Sequence, residues 1–227
     1  MKRRETWPVS SAVGSVGGSA CAAGALDPRM NLPPLILASA SPRRAELLRQ
    51  AGLEFAVIAA DVPEVQPEHL SPHETAQINA YRKCRRVAKH HPDALVLGAD
   101  TIVSLGETLF GKPANAAEAE AMLARLQGRT HQVVTGVCLI QLRSHRQRLF
   151  AESTAVTFRQ LHADQIRRYL AKIDPLDKAG AYAIQEEGDD IVKAIHGSFS
   201  NVVGLPLERL KAELARWQTA GNVAREP

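Results

Sequence analysis

The chain has 227 residues, 45% hydrophobic and 23% charged, with a formal net charge of +4, enough for one globular domain or one domain in two lobes. The mild positive charge suits anionic small molecules without requiring nucleic acid, and there is no aromatic-studded basic stripe of the kind that stacks bases. No apolar run reaches the ~18 residues of a membrane span, and the three scattered cysteines, Cys21, Cys84 and Cys138, form neither a CxxC pair nor a disulfide framework, so a reducing cytoplasm is the expected compartment, with no membrane partner.

Residues 1–32 read as a disordered N-terminal extension. Lys2-Arg3-Arg4 imitates a signal peptide, but Ser10–Ala25 is rich in Gly, Ala and Ser and too small and polar for a secretory core. Met30, just ahead of the first predicted strand, is a candidate start of translation. The folded unit is expected over residues 33–218, with a flexible tail at 219–227.

Leu35-Ile36-Leu37-Ala38 reads as a strand, Ser39-Ala40-Ser41-Pro42-Arg43-Arg44 as a polar loop entering a helix, and Ala45-Glu46-Leu47-Leu48 as that helix. Ser41 suits the N-cap, Pro42 the first helical position and Gly52 the C-terminal cap. Arg43 and Arg44 then fall in the first turn, where the helix dipole disfavours cations. Two guanidinium groups beside free N–H groups point to an anion such as a polyphosphate; two solvated arginines on an ordinary capped helix fit the segment equally well.

A second strand is expected over residues 55–60, running into Asp61-Val62-Pro63-Glu64. Ser71-Pro72-His73-Glu74 is a capping box opening a helix to about His90, with Lys83 inside it and a basic run, Arg82–Lys89, that is the only support for nucleic-acid binding. Ala94–Ala99 is a buried strand ending in Asp100-Thr101, and residues 102–110 form a hairpin around Leu105-Gly106-Glu107. Asn115 with Glu118 caps a helix whose apolar positions are Ala119, Met122, Leu123 and Leu126, closed by Gly128. Two long strands follow at 130–142 and 149–158, the second with Phe150, Thr154, Val156 and Phe158 on one face. A helix at 163–171, a Gly/Ala-rich loop at 177–185, a strand at 191–195 and a closing helix at 207–217 complete the chain. The class is α/β with a mixed sheet.

Asp100, at the end of a buried strand, stands where open α/β sheets place their sites, and could bind a metal or take a proton from water; a turn-forming Asp is the competing reading. Glu64 is the second carboxylate that a magnesium site would use, with Asp61 as competitor and a solvated loop acid as alternative. Lys83, Lys112 in Gly111-Lys112-Pro113, and Lys178 in Asp177-Lys178-Ala179-Gly180 could each be a point charge for phosphate, although any one alone reads as surface charge. Gln185 offers an amide donor and acceptor for the edge of a pyrimidine, against an ordinary loop glutamine. His131 reads as a structural hydrogen-bond partner. There is no HExxH, GxSxG or Walker A pattern.

Together, Ser39-Ala40-Ser41-Pro42-Arg43-Arg44, Gly98-Ala99-Asp100-Thr101, Gly111-Lys112-Pro113, Gly128-Arg129-Thr130-His131, Asp177-Lys178-Ala179-Gly180-Ala181-Tyr182 and Val203-Gly204-Leu205-Pro206-Leu207 resemble the Maf family of nucleoside triphosphate pyrophosphatases, in the family's order, across about residues 33–215. The resemblance implies a twisted mixed sheet in two lobes around a central cleft, similar to the inosine-triphosphate pyrophosphatase fold. It implies hydrolysis of a nucleoside triphosphate between the α- and β-phosphates with a divalent metal, Mg2+ or Mn2+, and it allows for a homodimer. By that resemblance Asp100 is the proton acceptor, Glu64 and Asp100 hold the metal, and Ser41, Arg44, Lys83 and Lys112 face the phosphates. Arg43, Thr101 and Gln185 match positions associated with base choice, and their combination resembles the dTTP- and UTP-hydrolysing branch, a house-cleaning activity on the nucleotide pool. A 7-methyl-GTP pyrophosphatase and a non-catalytic cell-division module are the alternatives. The family's Gly-Ile-Gln-Gly stretch reads Ala183-Ile184-Gln185-Glu186 here, a departure beside the base position.

Overall fold

The computed structural model describes residues 32–222; the expected extension and the candidate start at Met30 lie outside them, apart from Leu32. The elements in chain order are β1 (Leu35–Leu37), α1 (Pro42–Gln50), β2 (Ala56–Val57), α2 (Pro72–Ala88), β3 (Leu95–Leu105), β4 (Thr108–Phe110), α3 (Ala116–Leu126), β5 (Thr130–Gln141), β6 (Arg146–Phe158), α4 (Ala163–Leu170), α5 (Gly188–Ile191), β7 (Val192–His196), α6 (Phe199–Val203) and α7 (Leu207–Asn222). The strands form one mixed seven-stranded sheet in the order β2-β1-β3-β5-β6-β7, with β4 paired to β3. β1 is parallel to both β2 and β3; the remaining pairs are antiparallel.

The alternation of the strands sorts two cores. Leu35 and Leu37 of β1 and Leu95, Leu97 and Ala99 of β3 pack on the face covered by α1, α3 and α7. Ile36 and Val96 turn the other way, onto Ala80, Cys84, Val87 and Ala88 of α2, as the two-residue period of a strand requires. α2 lies unusually close to the sheet. A Cβ on Gly98 would stand 2.5 Å from the Ala80 carbonyl oxygen, and one on Gly136 only 2.3 Å from the Ala76 carbonyl. Glycine at both positions lets the helix rest directly on β3 and β5.

The feature that positions the site is a gap in the sheet. One edge of β3 is paired to β5 without interruption from Val96 to Ser104. On the other edge, β1 pairs with Leu95–Leu97 and β4 with Val103–Leu105. Residues 98–102 therefore have no strand neighbour on that side, and a cleft reaches β3 through the opening.

Four expectations change. The strand expected to end before Asp100 continues through it to Leu105, because Asp100 pairs with Gly136 and the ladder stays in register. The second strand shrinks from residues 55–60 to two exposed residues, since after Val57 only Ile58 N–H still reaches a β1 carbonyl. Ser41 occupies the N-cap with extended backbone and Pro42 follows it, but its hydroxyl makes no capping bond. The closing helix runs on to Asn222, into the segment expected to be a tail. The capping box of α2 and the Asn115 cap of α3 are present as expected.

Candidate active site

The cleft has a volume of about 360 Å3 and is lined by residues of the β1–α1 loop, α2, β3, the β4–α3 turn and the segment around 177–185. It brings together Ser41, Arg43, Arg44, Glu64, Lys83, Asp100, Thr101, Lys112 and Gln185, all of which line it, whereas Asp61, the competitor to Glu64, is not among the lining residues. Its size falls within the range of small-molecule sites.

Asp100 and Thr101 are neighbours on β3, so their side chains leave opposite faces of the strand. The unpaired edge of β3 lets both faces contribute to one cleft. Asp100 points to the α2 side, where Lys83 Nζ donates to its Oδ1 at 2.6 Å and Asn79 Nδ2 to its Oδ2 at 3.1 Å. Asn79 cannot turn its amide around, because its Oδ1 accepts from Val65 N–H and its Nδ2 also donates to Val65 C=O. Lys83 also donates to Glu64 Oε1 at 2.7 Å, and Lys112 Nζ stands 3.9 Å from the same oxygen. One ammonium thus bridges the two carboxylates.

Their environments separate the carboxylates. Burial pushes the Asp100 carboxyl above its usual range; Lys83 opposes this, the charge of Glu64 adds to it, and Arg44 opposes it. At Glu64 burial also works against ionisation, but bonding and charge from Lys83, with Lys112 beyond, outweigh it and hold the group low. Asp100 is the more basic of the pair and Glu64 the more firmly ionised, the split that distinguishes a proton acceptor from a charge anchor.

Thr101 turns toward α1. Its Oγ1 accepts from Arg44 Nη2 at 2.9 Å and lies 3.0 Å from Thr135 Oγ1. Arg44 is buried, and it also donates from Nε to Gly204 C=O and from Nη1 to Ser39 Oγ. Three of its five N–H groups are committed to the protein, which leaves two for a ligand. Arg43 pairs with Asp177 at 3.1 Å. Asn79, Thr135, Ser39 and Asp177 are the site residues that sequence reasoning missed; Ser39 and Asp177 stood inside segments already singled out, but not as site residues.

His131 is buried at 1% exposure, with Nε2 2.8 Å from Tyr182 Oη and edge-on contacts to Phe158 and Tyr182, the structural role expected of it. Lys178 sits in a turn as expected, but the surface charge it reads as on its own is buried instead.

Asp100 and Glu64 supply hard carboxylate oxygens on either side of one cation, Lys83, and this donor set fits a magnesium-type ion, which takes one or two carboxylates and completes its shell with substrate phosphates and water. Among the described residues no cluster of three or more His, Cys, Asp or Glu side chains could hold a metal unaided.

The family model described as "Maf-like protein" matches residues 34–217. The chain is 45% identical over 183 residues to a dTTP/UTP pyrophosphatase of Pelotomaculum thermopropionicum, covering 81% of this chain and 96% of that protein. It is 49% identical over 175 residues to a dTTP/UTP pyrophosphatase of Symbiobacterium thermophilum, covering 77% and 89%. A solved HAM1 protein from Coxiella burnetii aligns with a TM-score of 0.38 and 18% identity over 56% of this chain and 73% of that one.

Proposed function

The chain belongs to the Maf-like protein family, and from that premise we propose that it is a nucleoside triphosphate pyrophosphatase acting on dTTP and UTP, a hydrolase yielding the monophosphate and pyrophosphate. The observation that carries the reading is Asp100, a carboxylate made basic by burial, held by Lys83 and Asn79 at the floor of a cleft walled by Arg43, Arg44 and Lys112.

In this reading the triphosphate lies against the first turn of α1, where free N–H groups, the Ser41 hydroxyl and the remaining Arg44 donors face its oxygens, with Lys112 opposite. Asp100 accepts a proton from the attacking water as the water oxygen bonds to the α-phosphorus. The α–β bridging bond breaks and its electron pair leaves with pyrophosphate, whose charge the cations stabilise. Lys83 orients the Asp100 carboxylate and keeps it charged. A divalent cation, Mg2+ or Mn2+, would be held by Glu64 and Asp100 and would supply charge neutralisation of the phosphate oxygens and a lower pKa of bound water. Arg43, Thr101 and Gln185 bear on the base. No helix among the described residues is long and apolar enough to cross a membrane, and Cys84 and Cys138 are free thiols, in keeping with work on a cytoplasmic nucleotide pool.

A panel of dTTP, UTP and 7-methyl-GTP, assayed for pyrophosphate with magnesium and with chelator, tests the reading. Release from dTTP and UTP, lost on chelation, is expected. Preference for 7-methyl-GTP reassigns the substrate, and no release from any triphosphate removes the enzyme altogether. Gln185→Glu is expected to lower kcat/KM for dTTP and UTP by about tenfold with an unchanged metal requirement, because a carboxylate keeps the acceptor but loses the N–H donor that a pyrimidine carbonyl needs. An unchanged substrate ranking removes Gln185 from base choice.

A further inference from the structure

On the reading that the cleft holds a nucleotide, we propose that Lys178 is a positioning residue for base selection and that Glu186 is the counter-charge through which it acts, the pair fixing Arg43 and Gln185 relative to one another. The Lys178 side chain is only 5% exposed. Its ammonium donates to Asp174 C=O at 2.6 Å and to Asp177 Oδ1 at 2.7 Å, and lies 3.4 Å from Glu186 Oε2. Two hydrogen bonds and one longer ion pair therefore surround the buried ammonium.

What separates this arrangement from a merely stabilising one is where its two acids lead. Asp177 Oδ2 accepts from Arg43 Nη1 at 3.1 Å, and the Asp177 carbonyl lies 3.4 Å from Arg43 Nη2. Glu186 directly follows Gln185 in the chain. Arg43, Asp177, Lys178 and Gln185 line the cleft, whereas Glu186 is not among the lining residues. A continuous chain of charges, Arg43–Asp177–Lys178–Glu186, therefore connects the two base-choice candidates of α1 and the 177–185 segment. At Asp177 burial works against ionisation, but Lys178 and Arg43 outweigh it and keep the carboxylate charged.

The backbone between the ends of this chain needs such a tie. Gly180 and Ala181 have φ of 71° and 63°, and Glu187, just past Glu186, has 52°. Non-glycine residues hold the left-handed region only where their surroundings over-determine it. The fixed points include Gly180 N–H on Gly111 C=O, both backbone groups of Ala183 on Tyr169 Oη, Tyr182 Oη against His131 Nε2, Lys172 on Glu187, and Lys178. Of these, only Lys178 grips the residue that follows Gln185.

Glu186→Gln and Lys178→Met, singly and together, test the proposal, with thermal midpoints taken first. Glu186 is 43% exposed, so its variant is expected to fold even if Lys178→Met does not, and it then decides alone. In each folded variant KM for dTTP and UTP is expected to rise about fivefold with kcat within about twofold, and discrimination against purine triphosphates to fall by a similar factor. The double variant is expected to lose no more than the worse single, as coupled residues do. Unchanged KM and ranking in Glu186→Gln, or additive losses in the double variant, overturn the proposal. If the unsubstituted protein releases no pyrophosphate from any triphosphate, the proposed function fails; if it does and the variants keep its ranking, only this inference fails.

Discussion

Asp100→Asn is expected to lower pyrophosphate release by about 10³-fold or more while leaving the protein folded, the scale on which a positioned general base contributes. The size follows from the site and not only from the lost proton acceptor. Asp100 receives two donors, Lys83 Nζ on Oδ1 and Asn79 Nδ2 on Oδ2. An asparagine has one oxygen to offer, so its NH2 must face either an ammonium or another amide NH2. Asn79 cannot relieve this by flipping, because both of its amide atoms are matched to the Val65 backbone. One unmatched donor costs about 1–3 kcal/mol. Against that, the substitution removes a carboxylate whose charge burial already disfavours, so the thermal midpoint is expected to shift by only a few degrees. Kinetics and melting on one preparation separate the outcomes: near-normal release from the folded variant would sink the base assignment, and a collapsed midpoint would mean that the lost activity reports folding. Glu64→Gln is the informative neighbour. Held low by Lys83 and Lys112, Glu64 in this reading anchors charge, and its variant is expected to need more metal while retaining turnover at saturation.

The boundary between what was readable and what was not runs through Asp100 itself. Its candidacy is legible, since a carboxylate after Leu95-Val96-Leu97-Gly98-Ala99 is conspicuous, but its place reads as the end of a strand. Polarity in a short apolar run looks like termination. Here the run continues because β5 pairs with β3 through Ser104 and the opposite edge is open. That gap comes from β1 stopping and β4 starting, a relation between segments distant in sequence. Local signals did better: the Ser71–Glu74 capping box, the Asn115 cap and the left-handed Gly52 after α1 depend on residues within a turn. Ser41 met the local rule for an N-cap, yet its hydroxyl leaves the helix uncapped, and a ligand-facing role is one such use for it. Lys178 shows the opposite limit. Between Asp177 and Ala179 it reads as surface charge, and only the fold, by bringing the Asp174 carbonyl and Glu186 around it, makes it buried.

Between pH 6.5 and 4 the protein is expected to lose about 3 kcal/mol of stability through His131 alone. Burial lowers its imidazole to about 4 from an ordinary 6.5. In the unfolded chain the ring takes a proton as pH falls through 6.5, whereas in the folded protein it stays neutral until about 4. The unfolded state therefore binds more protons across this window and stability rises with pH: the contribution is complete above 6.5, declines as acid is added, and is gone below 4. The surroundings give the physical reason. Nε2 is matched to Tyr182 Oη at 2.8 Å, while Nδ1 is buried without a partner. Burial also raises the Tyr182 hydroxyl's pKa, so no phenolate is present to balance an imidazolium. Protonation would add a second buried N–H and an unpaired charge against Phe158 and Tyr182. Urea midpoints measured from pH 7 to pH 4 on the protein and on His131→Gln, which keeps an amide for Tyr182 but cannot titrate, isolate this effect from the many carboxylates that also respond to acid. The stability difference between the two is expected to shrink by about 3 kcal/mol over the series; parallel curves would mean that His131 carries no acid sensitivity, and that the Tyr182 wall of the cleft is held by packing rather than by a neutral imidazole.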